Sequence, residues 1–248
     1  MINPLFWQQA PRAAVSAALP KLSWQRQDGR SAACDTAALM LYVALLFMRE
    51  EEHLDDELLG VPVRVMTHMA QASYEVLGET TGLSRSLIRQ GLERLEELDL
   101  IKPRGSNQKR SYELSWTDGG WFKLPCRAIV RSGVIVPFTH FKLRSKHELH
   151  AMKLYLYLAS VIGRGQTYAQ ASYEKIYEKI GIPERDIRRA ISILIGVGLL
   201  RNVGRENAGP STSWGANKYH LTGDQDLYRP TAAPATAAEP AQLSQPTL

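Results

Sequence analysis

The run Ser84-Arg85-Ser86-Leu87-Ile88-Arg89-Gln90 sets two arginines and a glutamine beside apolar residues that recur at helical spacing. A guanidinium can make two parallel bonds to guanine, and a glutamine amide can do the same with adenine. Each such pair discriminates by roughly 1–3 kcal/mol. Arg85, Arg89 and Gln90 are therefore candidates for reading bases, flanked by the hydroxyls of Ser84 and Ser86. Ten or so residues further on, Lys102, Arg104, Lys109 and Arg110 bring four positive charges and no acid into nine residues around Gly105-Ser106-Asn107. Such a group neutralises phosphates and releases counterions, giving affinity that is independent of sequence and falls with salt. Two plainer readings stay open: arginines paired with local acids on a solvated helix face, and a charged hairpin tip that is only a soluble loop.

Other constellations carry less. His147 and His150 are three apart, with Cys126 upstream. A zinc site needs three or four convergent ligands, so these residues are expected to be helix-surface histidines, with no metal. Glu50, Glu51, Glu52, Asp55, Asp56 and Glu57 read as a solvated insertion, since a cation site needs carboxylates aimed inward by the fold. GETTG at Gly78–Gly82 lacks the lysine of a phosphate-binding loop, and no GxSxG is present. No catalytic residue, enzymatic activity or cofactor is expected.

The elements that would position the arginines occur twice. AQASYE stands at Ala70–Glu75 and again at Ala169–Glu174, an offset of 99. At that offset Gly82 falls on Gly181, Ile88-Arg89 on Ile187-Arg188, Leu92 on Ile191, Leu95 on Leu194 and Leu100-Ile101 on Leu199-Leu200. A fixed offset over some thirty residues marks one structural unit used twice. Upstream, Leu41-Tyr42-Val43 aligns with Leu154-Tyr155-Leu156 at 113, so the first copy holds about 14 additional residues near EEEHLDDELLGVPVRV.

Within each unit the signals follow one order. A first helix is expected with Asp35-Thr36 as its cap, running through AALMLYVALLFMRE, and a similar one from near His147 through HAMKLYLYLASVIG. A short stretch and a second helix follow, with Ser73 and Ser172 as N-caps and Glu75 and Glu174 in the first turn, where negative charge suits the helix dipole. Ser73 and Ser172, with Tyr74 and Tyr173 next to them, are also candidates to touch a phosphate, and the tyrosines can instead pack. Gly82 and Gly181 end the second helix. The third begins at Ser84 in one copy and at Pro183 in the other. Its apolar stripe is Leu87, Ile88, Leu92, Leu95 and Leu98, then Ile187, Ile191, Leu194 and Val197. Arg185, Arg188 and Arg189 lie outside the second stripe and, with Arg201, Arg205 and Lys218 further on, are candidates for a DNA-binding surface comparable to the first. Each third helix leads into a β-hairpin, the second longer and carrying Arg201, Arg205 and Lys218.

Composition sets outer limits. The chain has 248 residues, is 44% hydrophobic and carries a net charge of +5, enough for one large core or two modest ones, and the duplication favours two. Two distant cysteines without metal spacing fit a reduced compartment. No signal peptide is evident, and the apolar run Ala37–Met48 is too short to span a bilayer, so a cytoplasmic protein without a membrane partner is expected. Residues 1–34, punctuated by Pro4, Pro11 and Pro20, read as an extension without clear period, and 125–146 as an inter-domain segment that adds strands or packs the units together. The Ala- and Pro-rich residues 224–248 read as a disordered tail.

The stretch GLSRSLIRQGLERLEELDLIKP resembles the recognition helix and first wing strand of winged-helix domains of the MarR and GntR type. The resemblance covers roughly residues 35–116 and, less closely, 147–222; Pro183-Glu184 departs from the usual serine and small or basic residue. It implies a mainly α chain with small β-hairpin wings (α+β), arranged as two tandem winged-helix domains at 35–124 and 147–223. It also implies sequence-specific binding of double-stranded DNA. Two such units without a sensor domain or ATPase motif are similar in architecture to plasmid replication initiators, an analogy of fold. The process is then replication initiation on a plasmid or mobile element, or transcription regulation. A homodimer or the replication or transcription machinery are the partners implied. The other class is a structural winged-helix subunit that binds protein partners in a chromosome-condensation or partition complex.

Overall fold

The structure is a computed structural model describing residues 5–25, 29–56, 61–105, 110–116, 119–205 and 216–228, with backbone alone for 51–56, 61–66 and 205. The chain is α+β, with seven α-helices and several small antiparallel sheets among the described residues. In order these are β1 (Trp7–Pro11), α1 (Arg12–Ala18), α2 (Cys34–Phe47), β2 (Arg49–Asp56), β3 (Val61–Gln71), α3 (Tyr74–Thr81), α4 (Arg85–Glu97), β4 (Ile101–Arg104) and β5 (Ser111–Leu114). There follow β6 (Trp121–Pro125), β7 (Val130–Arg131), β8 (Val134–Ile135), α5 (Lys146–Val161), β9 (Ala169–Ala171), α6 (Tyr173–Ile180), α7 (Glu184–Val197), β10 (Leu200–Arg205) and β11 (Asn217–Leu221).

The expected repeat is visible as an order of elements: helix, strand, two helices and a hairpin, as α2-β3-α3-α4-β4-β5 and as α5-β9-α6-α7-β10-β11. Helix α2 is apolar all round, and every one of its residues is buried, as is most of α5. A helix without a polar face belongs inside a core. The two pack on each other, so both units draw on one continuous hydrophobic core.

AQASYE has a packing reason. Ala70 pairs with Tyr112 across β3 and β5, and Ala169 with Tyr219 across β9 and β11; all four side chains are buried. A small residue faces a large one at the same point of each sheet, and the serine that soon follows the strand starts the next helix. Ser73 accepts from the N–H of Val76 and Ser172 from that of Lys175, as expected of caps. Gly82 and Gly181 stop those helices at φ 75° and 68°, a left-handed conformation that a side chain would strain.

Several expectations are corrected. The segment 1–34, expected as an extension, is packed into the fold where it is described: β1 pairs with β6 from Trp7↔Pro125 to Pro11↔Trp121, and Ala10, Val15, Ala18, Leu19 and Leu22 are buried. Elements this short leave no period to read. Helix α2 begins at Cys34, so Asp35 lies inside its first turn and does not cap it. There it accepts from the N–H of Ser23 and meets Arg94. The aligned Glu148 plays a related part in α5, its carboxylate accepting from the N–H groups of Lys142, Leu143, Arg144 and Ser145. The acidic insertion is the β2-β3 hairpin, paired from Arg49↔Ala70 to Asp56↔Val61; Glu57 lies outside the described residues. Order also extends past residue 223: Asp224–Tyr228 forms a 3-10 turn with Asp224 and Leu227 buried. Residues 229–248 lie outside the described residues.

Segment 125–146 joins the units. The β7-β8 hairpin and the 3-10 turn Val136–His140 bury Ile135 and Phe138, and lie against α3 on one side and α7 on the other.

Candidate nucleic-acid interface

Helix α4 is capped by Ser84, whose hydroxyl accepts from the N–H of Leu87 at 3.4 Å. Its stripe of Ile88, Leu92 and Leu95 is buried, with Gly91 between them. Gly91 is where α4 crosses α2: a Cβ there would stand 2.7 Å from Leu41 Cδ1, 3.1 Å from the Ala38 nitrogen and 3.2 Å from the Ala37 carbonyl carbon. This close approach fixes the rotation of α4 and turns Arg85, Ser86 and Arg89 outward, all exposed.

Arg85 and Arg89 share their side of the molecule with the β4-β5 hairpin. Tyr74, at the start of α3, lies between: the Arg110 guanidinium is 4.5 Å from its ring centroid and that of Arg85 is 5.8 Å. The amide of Ala72 donates to the Arg110 carbonyl, closing the strand start onto the helix start. Between α4 and the hairpin runs a cleft of about 290 Å³ lined by Tyr74, Arg89, Glu93, Arg104, Arg110 and Tyr112 among others.

Not every predicted cation is equally available. Arg89 lies 3.6 Å from Glu93 one turn on, but it is 63% exposed, and such a pair is worth little in water. Arg104 makes two bonds to Glu113 across the strands, at 2.7 and 2.9 Å, which lowers the pKa of that carboxyl. Lys102 is exposed and faces Glu113 in the same ladder. The basic run, free of acid along the chain, thus meets an acid on the neighbouring strand. Gln90 is turned inward: its amide oxygen accepts from the N–H of Ser31, and its amide nitrogen donates to Ser86 Oγ. Ser106, Asn107 and Lys109 lie outside the described residues.

The acidic C-terminal half of α4 is held by its own Arg94 and by Arg30, which comes from outside its stretch of sequence. Arg30 reaches Glu93 and Glu97, and Arg94 joins Glu97 to Asp35. Hydrogen bonding to Arg30 brings the Glu97 carboxyl down to about 2. Arg94 also donates to the Lys21 carbonyl, so the N-terminal segment is tied to α4.

In the second unit Arg185, Arg188 and Arg189 are exposed on α7. Arg201 is committed to the buried carboxylate of Asp224 at 3.1 Å, which His220 also meets. Lys218 Nζ lies 5.1 Å from the Tyr168 ring centroid, whereas Tyr173, half-buried, packs against the core. The Arg205 side chain lies outside the described residues. Sequence reasoning missed Arg30, Tyr168 and Asp224, whose partners are distant in sequence or fall beyond the expected unit boundary.

Among the described residues no helix is long and apolar enough to cross a membrane. No protein-family model matches this chain, and no curated protein matches it significantly.

Proposed function

We propose that the chain binds double-stranded DNA sequence-specifically through two tandem winged-helix units. The observation that carries this reading is the grouping of Arg85 and Arg110 on Tyr74, with Arg89 lining the same cleft and both helix arginines exposed in the N-terminal half of a capped helix. In helix-turn-helix docking that end enters the major groove while the remainder of the helix packs on its own domain. Helix α4 has this division: exposed cations first, then a half in which Glu93 and Glu97 are paired with Arg30 and Arg94. The β4-β5 hairpin supplies phosphate contacts as the wing. Arg185, Arg188 and Arg189 support a second contact, one groove along, with a different set of bases because α7 opens with Pro183 and Glu184.

The process we favour is initiation of replication on a plasmid or mobile element, ahead of transcription regulation, because two DNA-reading units without a ligand domain suit assembly on an origin. Mobility shift with genomic fragments at two salt concentrations tests the binding. Discrete fragments should be retained at the higher salt; failure to shift any duplex would overturn the reading and favour the protein-interaction class. An origin-dependent replication assay then separates initiation from promoter control.

A further inference from the structure

The corner between α5 and the start of α7 is polar where its counterpart is not. By the two offsets that align the units, His147 and His150 take the places of Cys34 and Ala37, and Asp186 takes that of Leu87. In one copy the fold closes this corner with small and apolar side chains. It has no packing need for two imidazoles and a carboxylate in the other.

Three donor atoms converge there. Nδ1 of His147 lies 3.9 Å from Asp186 Oδ1, and Nδ1 of His150 lies 3.8 Å from Oδ2, with one donor from each residue falling within 4.8 Å of the others. The two rings stand nearly perpendicular, at 82°. Both Nδ1 atoms are buried and have no hydrogen-bond partner among the described residues. A buried ring nitrogen calls for a partner, whichever tautomer the ring adopts.

We propose that His147, His150 and Asp186 form a binding site for a divalent first-row transition metal ion, zinc in the first instance. Imidazole nitrogen with one carboxylate suits zinc, cobalt, nickel or copper, whereas magnesium and calcium select oxygen. Zinc holds such atoms at about 2.0–2.2 Å, so they stand roughly 3.3–3.5 Å apart, and the present spacing closes on them by side-chain rotation. Three protein ligands leave a coordination position for water. Lys146 Nζ, 2.8 Å from Asp186 Oδ2, holds the carboxylate without metal and is displaced when the ion binds. A bound ion clasps α5 to the first turn of α7, next to Arg185.

The test is a Co(II) titration of the untagged full chain, followed by visible absorption, with Zn(II) competition and isothermal titration for stoichiometry. One equivalent per chain is expected, with Zn(II) displacing Co(II). His150→Gln and Asp186→Asn should each weaken binding at least about tenfold, the smallest loss expected from a direct ligand when even outer partners cost that much. Lys146→Met should tighten it by freeing the carboxylate. Thermal unfolding in chelator checks that each variant is folded, and His147→Gln replaces any that is not. No saturable binding, or binding unchanged in folded ligand variants, would overturn the site.

Discussion

The guanidinium of Arg110 stacks 4.5 Å from the Tyr74 ring centroid, joining the loop end of the β4-β5 hairpin, just before β5, to the first residue of α3. A hydrogen bond from Arg110 to Tyr74 raises the pKa of the guanidinium, which stays charged at any working pH. The ring therefore aims a permanent cation. On the proposed DNA-binding reading, Arg110→Ala should weaken binding to all duplexes and lower the slope of log K against log salt by about 0.9, the share of one phosphate contact. Tyr74→Ala should produce part of that effect by releasing Arg110, and Tyr74→Phe less, since the ring face remains. Salt-dependent affinity on a specific and a random duplex measures all three. Equal affinity for every variant would remove Arg110 from the interface.

Arg85 and Arg89 should behave differently, because base contacts specify and phosphate contacts position. Arg85→Ala and Arg89→Ala should each cost roughly 1–3 kcal/mol on the preferred site and far less on random duplex, narrowing the ratio between them. Glu93→Gln removes the acid 3.6 Å from Arg89 and one like-signed neighbour of the phosphates. It should raise affinity for both duplexes. Competition binding with specific and random DNA reads both effects.

Gly91 and Ala190 occupy the same place in the two copies, and their exchange tests how each third helix is seated. Gly91→Ala gains the roughly 1 kcal/mol by which alanine favours a helix. The new Cβ, however, meets backbone at 3.1 and 3.2 Å, where little can yield, as well as Leu41. Overpacking of this kind costs roughly 1–3 kcal/mol, so the net effect should be a loss of about 1 kcal/mol, with α4 displaced and DNA discrimination reduced. Ala190→Gly should lose about 1 kcal/mol from helix propensity and roughly 0.8 kcal/mol more for the buried methyl. Thermal unfolding of the two variants decides it. A stabilised Gly91→Ala protein would show that the α2-α4 crossing is loose enough to admit a methyl group.

Signals written within one element were legible in the sequence: the serine caps, the glycine stops, the stripe of α4 and the repeat that set its register. What it did not carry are contacts between distant segments. Nothing near Gln90 announces that Ser31 uses its amide oxygen, and nothing near Glu93 announces Arg30, because both partners come from a stretch whose strand and helix are too short to show a period. The His147-His150 pair looked incomplete for the same reason: its third donor, Asp186, comes from a different helix. The β2-β3 hairpin was hidden by its charge. Its acidic strand reads as a solvated insertion, yet it extends the sheet that the β4-β5 hairpin completes.

Lys153 offers a test of the shared core by pH. It is 4% exposed in α5 and donates to the Leu22 carbonyl at 3.2 Å; burial brings its pKa from 10.5 down to about 8. Between those values the folded chain has released a proton that the unfolded chain still holds, so stability rises with pH and the gain is lost again as pH falls through 8. The buried thiols oppose this above pH 9: burial lifts Cys34 to about 11 and Cys126 to about 12, so there the unfolded chain releases protons first. The net rise should therefore be confined to pH 8–9. Lys153→Met removes the buried charge and should stabilise the protein at pH 7 by roughly 1–3 kcal/mol, somewhat less than the full shift is worth. It should also abolish the rise between pH 8 and 9. Urea unfolding of both proteins across pH 7–10 measures the two effects, and a variant that is less stable at pH 7 would mean that the bond to Leu22 outweighs the desolvation of the ammonium.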